Sequence, residues 1–215
     1  MIPSAKLFKN ARIFDGQSFL AATSLLVEGE KVVAVGKDAI ASACEAQEAP
    51  NDSVPAGAEV VDCQGKGLLP GLVDCHVHFR EPGLVRKEGY LTGSAGALHG
   101  GVTTVLEIQN NPPLMNSSAL LAKKNADLQG VSRVDFAPYG SLTAESVDQL
   151  DEMKDACPAV KCFLGCSTGA GGVHSEQEMR VLFQAAAEAD LLIVAHCEDN
   201  VVMKLADDNL SGEER

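Results

Sequence analysis

His76 and His78 are two of only five histidines in this 215-residue chain, and one residue separates them in the segment 68–83, LLPGLVDCHVHFREPG. Pro70-Gly71 marks a turn, and the mostly apolar residues after it read as a short buried strand. Alternate strand residues share a face, so Asp74, His76 and His78 are expected to project one way and Cys75, Val77 and Phe79 the other. A lone histidine on an apolar strand is usually a satisfied core group. Two imidazoles on one face at a strand end form half of a metal site, and metal binding is the reading taken for this pair.

Further residues suit the same chemistry. Lys161, in VKCFLG, sits among apolar neighbours, where an ammonium is costly unless it is paired or neutralised. One reading is an ion pair with Asp74 or Glu107. The other is a neutral amine, its pKa lowered by burial, that captures carbon dioxide as an anionic carbamate able to bridge metals. His196, in LLIVAHCED, is either a capped core histidine or a ligand. Arg80 lies two residues past His78, on the same face if the strand continues. Its guanidinium suits a substrate carboxylate, the plainer alternative being a salt bridge to Glu81. Asn110, in VLEIQNNPP, is a second substrate-binding candidate or a plain loop residue.

These groups must be held by strands and helices. Residues 1–67 show short apolar runs at 6–13, 24–27, 31–35 and 59–62 with turn-formers between them, which reads as a small antiparallel β-domain. Residues 39–57, rich in Ala, Glu and Pro, read as a loop or short helix. From residue 68 strand and helix alternate. Strands are expected at 68–79, 102–108, 133–137, 160–164 and 191–195. Helices are expected at 89–99 (closed by Gly100-Gly101), 117–128, 143–156 (N-capped by Thr143), 175–189 (Ser175 and Glu178 in capping-box register) and from 200 onward. Such alternation implies parallel strands with helical crossovers, five β/α units in all, yet a doubly wound sheet and a (β/α)8 barrel both begin this way. The chemistry selects the barrel, because the candidates fall at C-terminal strand ends, where barrel sites are built.

Composition sets the outer bounds. With 17 basic against 30 acidic residues the formal net charge is −13, which disfavours nucleic acid and anionic membranes as partners. No apolar run is long enough to span a bilayer and the N-terminus lacks a signal-peptide core, so a cytoplasmic protein is expected. The seven cysteines contain no C-x-x-C pair and are expected to be reduced and buried rather than bridged. The segment 165–172, GCSTGAGG, lacks a P-loop ending and reads as a flexible rim. His99 and His174 earn no ligand role from position.

The run DCHVHFREPG resembles the first-strand signature of the dihydroorotases, cyclic amidohydrolases of the amidohydrolase superfamily, and VKCFLGCSTG resembles the segment carrying their bridging lysine. The resemblance implies a (β/α)8 metal-dependent hydrolase barrel over 68–215, preceded by the N-terminal share of a β-sandwich at 1–67. It implies two zinc ions held by His76, His78, carbamylated Lys161 and His196, with Arg80 and Asn110 binding a small anionic substrate. The implied reaction is the reversible conversion of N-carbamoyl-L-aspartate to dihydroorotate in pyrimidine biosynthesis. Gln109 stands where the family's Met-Pro-Asn segment has proline, which leaves open whether Asn110 or Asn111 serves the substrate. The family's remaining histidine ligand and its general acid/base aspartate would lie beyond residue 215, and a full barrel typically takes ~250 residues. The chain is therefore expected to be part of a longer protein, or to need a partner or homodimer to finish its site. Alternatives are a hydantoinase- or allantoinase-type hydrolase, and an inactive homologue kept as a structural partner.

Overall fold

A computed structural model describes residues 5–21, 23–36, 58–165 and 172–210. The chain divides into two compact units, Met1–Pro70 and Gly71–Arg215.

The first unit is built on β1 (Ala5–Ile13), β2 (Thr23–Glu28), β3 (Lys31–Val35), β4 (Glu59–Asp62) and β5 (Gly67–Leu68). They form one mixed sheet in the order β3-β2-β1-β4, with β5 continuing beside the end of β1. β2 and β3 pair antiparallel as expected, whereas β4 and β5 run parallel to β1. The stretch from Val35 to Glu59 exceeds the roughly dozen residues that a parallel return needs, so the antiparallel expectation failed there. Leu7 and Leu26 face each other across β1 and β2 and are buried against Ala5 and Ala34. The expected loop or helix at 39–57 lies outside the described residues.

The second unit alternates strand and helix. In order come β6 (Leu72–Val77), α1 (Tyr90–His99), β7 (Val102–Glu107), α2 (Ser118–Leu128), β8 (Asp135–Pro138), β9 (Gly140–Ser141), a 3-10 helix (Ala144–Gln149) running into α3 (Leu150–Met153), β10 (Val160–Leu164), α4 (Glu176–Glu188), β11 (Ile193–Cys197) and α5 (Asn200–Asn209). The strands are all parallel, in the orders β6-β7-β8 and β9-β10-β11. The segment 135–141 serves both triplets, with β8 paired to β7 and β9 to β10. Tyr139 N donates to Glu107 O (2.8 Å) and Gly140 N to Ala159 O (3.0 Å) at the handover. Strand order thus follows chain order throughout, the progression of a barrel wall rather than the reversal at the centre of a doubly wound sheet.

Local chemistry accounts for most helix ends. Ser117 Oγ accepts from Leu120 N and Ser175 Oγ from Glu178 N, each at an N-cap. α1 ends at His99, and Gly101 (φ +86°) supplies the left-handed residue that turns the chain into β7. The segment 144–149 is 3-10 rather than α-helical. Ser146 Oγ accepts from Thr143 N (2.9 Å) and donates to Thr143 O (3.0 Å), and this short side-chain-to-backbone loop tightens the turn.

Two further expectations need correction. β6 pairs only with β7 among the described residues and is largely exposed, with Leu72 and Val73 at 55% and 57%, so it is an edge rather than a buried strand. Cys157 and Cys162 are buried and reduced, but Cys75 on β6 and Cys197 on the outer strand β11 are exposed, and Cys63 is half-buried. Edge strands lack the neighbour that would cover them. Cys44 and Cys166 lie outside the described residues.

Candidate active site at the strand ends

His78 follows the last residue of β6, and its Nδ1 lies 2.8 Å from Ile108 O just past β7. A carbonyl can only accept, so Nδ1 carries the proton and Nε2 keeps its lone pair for a ligand. The rings of His76 and His78 meet edge to face at 5.2 Å. Burial, then the electrostatic influence of nearby Lys161 and His78 and, to a lesser degree, His196, lowers the His76 pKa from its ordinary value, with Asp74 opposing. The sequence candidates from β6, β10 and β11 therefore lie within electrostatic reach of one another.

Lys161 sits on β10, 3% exposed, with its Nζ 5.0 Å from the centre of the Phe163 ring. Among the described residues it enters no ion pair, and Glu107, one of its two expected partners, is bound to Lys124 instead. Burial lowers the pKa of Lys161, with Cys197 and Cys162 opposing. Beside it in register, Phe163 on β10 pairs with His196 on β11, ring centres 6.0 Å apart. His196 Nε2 is closed off from solvent. It lies 3.0 Å from Glu198 Oε1 yet makes no hydrogen bond.

Strand alternation does not continue to Arg80. β6 ends at Val77, and Arg80 has φ +63°, a left-handed conformation uncommon for a residue with a side chain. Its guanidinium nonetheless reaches the other substrate candidate, with Nη1 donating to Asn110 Oδ1 at 3.2 Å. Glu81, offered as the plainer partner of Arg80, instead accepts from Tyr90 N (2.7 Å) at the start of α1, where a carboxylate suits the helix dipole. Asn111 turns away and donates to Pro82 O and Pro112 O, both at 3.0 Å. Asn110 is thus the asparagine that meets Arg80.

Sequence reasoning missed the buried group behind this loop, formed by Lys124, Glu107 and Gln109. A signal was present: Leu121, Lys124 and Leu128 fall on one helical stripe, and all three are buried. His174 bonds through Nδ1 to Asn200 (2.7 Å), and His99 ends α1. Most of the 165–172 rim lies outside the described residues. A groove of about 680 Å³, lined by residues that include Thr103 and Arg133 to Pro138, holds none of the candidates.

A family model described as dihydro-orotase-like matches residues 65–208. The chain belongs to this family. It is 33% identical over 199 residues to the dihydroorotase of Bacillus cytotoxicus and 32% identical to that of Bacillus thuringiensis, each alignment covering 92% of this chain and 42% of the relative. The chain thus spans less than half the length of the curated relatives it matches. Among solved structures it resembles an L-hydantoinase (dihydropyrimidinase) from Arthrobacter aurescens, with TM-score 0.78 and 24% identity over 94% of this chain and 43% of that one. It also resembles a D-hydantoinase (dihydropyrimidinase) from Thermus sp., with TM-score 0.71 and 27% identity over 94% and 43%. These neighbours are amidohydrolase (β/α)8-barrel enzymes, and β6 to β11 follow part of such a barrel wall.

The residues present also suit a metal in part. His78 offers a free Nε2 fixed by a carbonyl partner, and His196 has a shielded nitrogen without a hydrogen bond. No three His, Cys, Asp or Glu side chains among the described residues converge enough to hold an ion by themselves. No helix among the described residues is long and apolar enough to cross a membrane.

Proposed function

We propose that this chain is the N-terminal part of a zinc-dependent dihydroorotase, interconverting N-carbamoyl-L-aspartate and dihydroorotate for pyrimidine biosynthesis in the cytoplasm. The observation that carries the reading is the bond from Arg80 to Asn110. It sets a guanidinium beside the strand ends that bear the histidines, where it can take the carboxylate that distinguishes this substrate from plain hydantoins.

His76, His78, His196 and Lys161 would hold two zinc ions. Lys161 becomes a ligand when its neutral Nζ adds to the carbon of carbon dioxide and loses a proton, giving a carbamate with two oxygen donors. Its burial and lack of an ion partner among the described residues favour the neutral amine that this step needs. Zinc supplies Lewis acidity toward the ring carbonyl and lowers the pKa of water. Arg80 and Asn110 bind and orient the substrate, so that its ring amide faces the ligand cluster while its carboxylate stays anchored. The proton-transfer group comes from the rest of the barrel, as does the remaining ligand. The substrate is a small anion, and a net charge of −13 repels it at long range, so the local cations must dominate.

The test uses the full-length protein that contains this chain. Dihydroorotate, hydantoin and allantoin are offered at equal concentration, and zinc is counted by elemental analysis. Two zinc ions per chain and a preference for dihydroorotate are expected. Preference for either neutral ureide would sink the substrate assignment, and a zinc-free, inactive protein would sink the enzyme reading altogether.

A further inference from the structure

The left-handed backbone of Arg80 has to be held in place, because such a conformation persists only when its surroundings over-determine it. The restraints lead away from the site to one buried ammonium. Lys124, on α2, donates to Glu107 Oε2 and to Gln109 Oε1 (2.6 Å), and its side chain and that of Glu107 are 1% and 0% exposed. Both acceptors touch the loop that carries Arg80. Glu107 Oε1 accepts from Arg80 N (3.4 Å), and Gln109 Nε2 donates to Pro82 O (2.7 Å).

The direction of these bonds is set by Lys124. An ammonium has donors only, so the oxygen of the Gln109 amide must face it, and the NH₂ must face the other way, toward Pro82 O. The Pro82 carbonyl, an acceptor only, demands the same orientation from the other side, so the amide bridges the ammonium and the loop. Asn111 adds a second donor to Pro82 O, and Gly83 seats the loop so closely that a Cβ would fall 2.3 Å from Pro112 O. The loop from Arg80 to Gly83 is thereby fixed on the segment from Glu107 to Pro112, and the Arg80 guanidinium is left facing Asn110.

We propose that Lys124, acting through Glu107 and Gln109, is a positioning residue for Arg80. The cluster makes the site selective for cyclic amides that carry a carboxylate. This rests on the reading of Arg80 as the carboxylate anchor. It also gives Gln109 a role: the glutamine at this place is the adaptor between the buried lysine and the loop.

The test is Gln109→Leu in the full-length zinc-loaded protein, with Gln109→Met, an unbranched filler of similar length, if the first variant folds poorly. KM for dihydroorotate should rise about tenfold, the scale of one displaced charge-assisted hydrogen bond, with kcat changed less than about twofold. An unchanged KM, or a fall in kcat with KM unmoved, overturns the proposal. A crystal structure of the variant gives a reading that needs no turnover: Arg80 should leave the left-handed region or lose its bond to Asn110. Arg80 found in place overturns the proposal whatever the substrate proves to be. Wild-type protein that ignores dihydroorotate would instead overturn the function proposed above, and the structural measurement would still decide on Lys124.

Discussion

Arg80 and Asn110, thirty residues apart in sequence, are joined by a 3.2 Å hydrogen bond between the chain segments that follow β6 and β7. The bond holds a guanidinium at the mouth of the candidate site while leaving most of its donors for another acceptor. Charged hydrogen bonds contribute about 1.5–3 kcal/mol. Arg80→Ala in the full-length protein should therefore lower kcat/KM for dihydroorotate by roughly 10- to 150-fold. Arg80→Lys should recover little of this, because an ammonium lacks the planar fork. Steady-state kinetics on dihydroorotate check both, and an intact KM in Arg80→Ala would remove the anchor from the mechanism.

The two adjacent asparagines should separate cleanly. Asn110 faces Arg80, whereas Asn111 is spent on Pro82 O and Pro112 O. Asn110→Ala is expected to raise KM for dihydroorotate. Asn111→Ala removes two hydrogen bonds, to Pro82 O and Pro112 O, and should cost about 0.5–1.5 kcal/mol of stability for each. Urea titrations beside kinetics distinguish them, and the reverse pattern would mean that the substrate asparagine had been assigned wrongly.

The pair Lys124 and Glu107 makes a stability prediction of its own. Removing one partner of a buried ion pair strands the other charge, at a cost of about 3–5 kcal/mol. Lys124→Met alone should destabilise by about that amount, while Lys124→Met combined with Glu107→Leu should return most of it, because a buried pair can often be replaced by apolar groups at little net cost. Chemical denaturation of the two single variants and the double variant gives the coupling directly. Additive losses would show that the pair is not coupled.

What the sequence made legible follows from how local each feature is. Alternation of strand and helix, the cap at Ser175 and the stop at Gly100-Gly101 depend on a few neighbouring residues and agree with the structure, although the first strand of that run begins at Leu72, Leu68 pairing instead with β1. Parallel pairing of β4 with β1 depends on a long return, so a run of four residues could not reveal it. Arg80 escaped the alternation argument because its backbone is set by Glu107 and Gln109, residues outside its own strand. Glu107 was a plausible partner for Lys161 by composition, and only the packing of α2 on β7 shows that Lys124 takes it. Lys124 itself was readable, since it shares the stripe of Leu121 and Leu128 while its neighbour Lys123 is exposed and pairs with Asp127.

Lys161 carries the last prediction. Its amine is buried without an ion pair among the described residues, and burial holds its pKa below the ordinary lysine value. Such a group destabilises the fold that contains it, a common feature of residues kept for function. Between the folded pKa and about 10.4, the ordinary lysine value, the unfolded chain binds more protons than the folded one, so wild-type stability rises with pH across that window. Lys161→Met has no such proton to lose. In metal-free, carbon-dioxide-free full-length protein, the variant should be more stable than wild type at pH 7 by about 1–3 kcal/mol, the cost of burying a polar group without a partner. The advantage should shrink as pH approaches about 10.4, where both states hold the neutral amine. The same variant should lose zinc, since methionine offers no oxygen donor in place of the carbamate. Unfolding midpoints at pH 7 and pH 10, with zinc counted in parallel, decide the matter. A variant less stable than wild type at pH 7, or an advantage that does not change with pH, would mean that the Lys161 amine is already satisfied by a partner and is not held neutral for carbamylation.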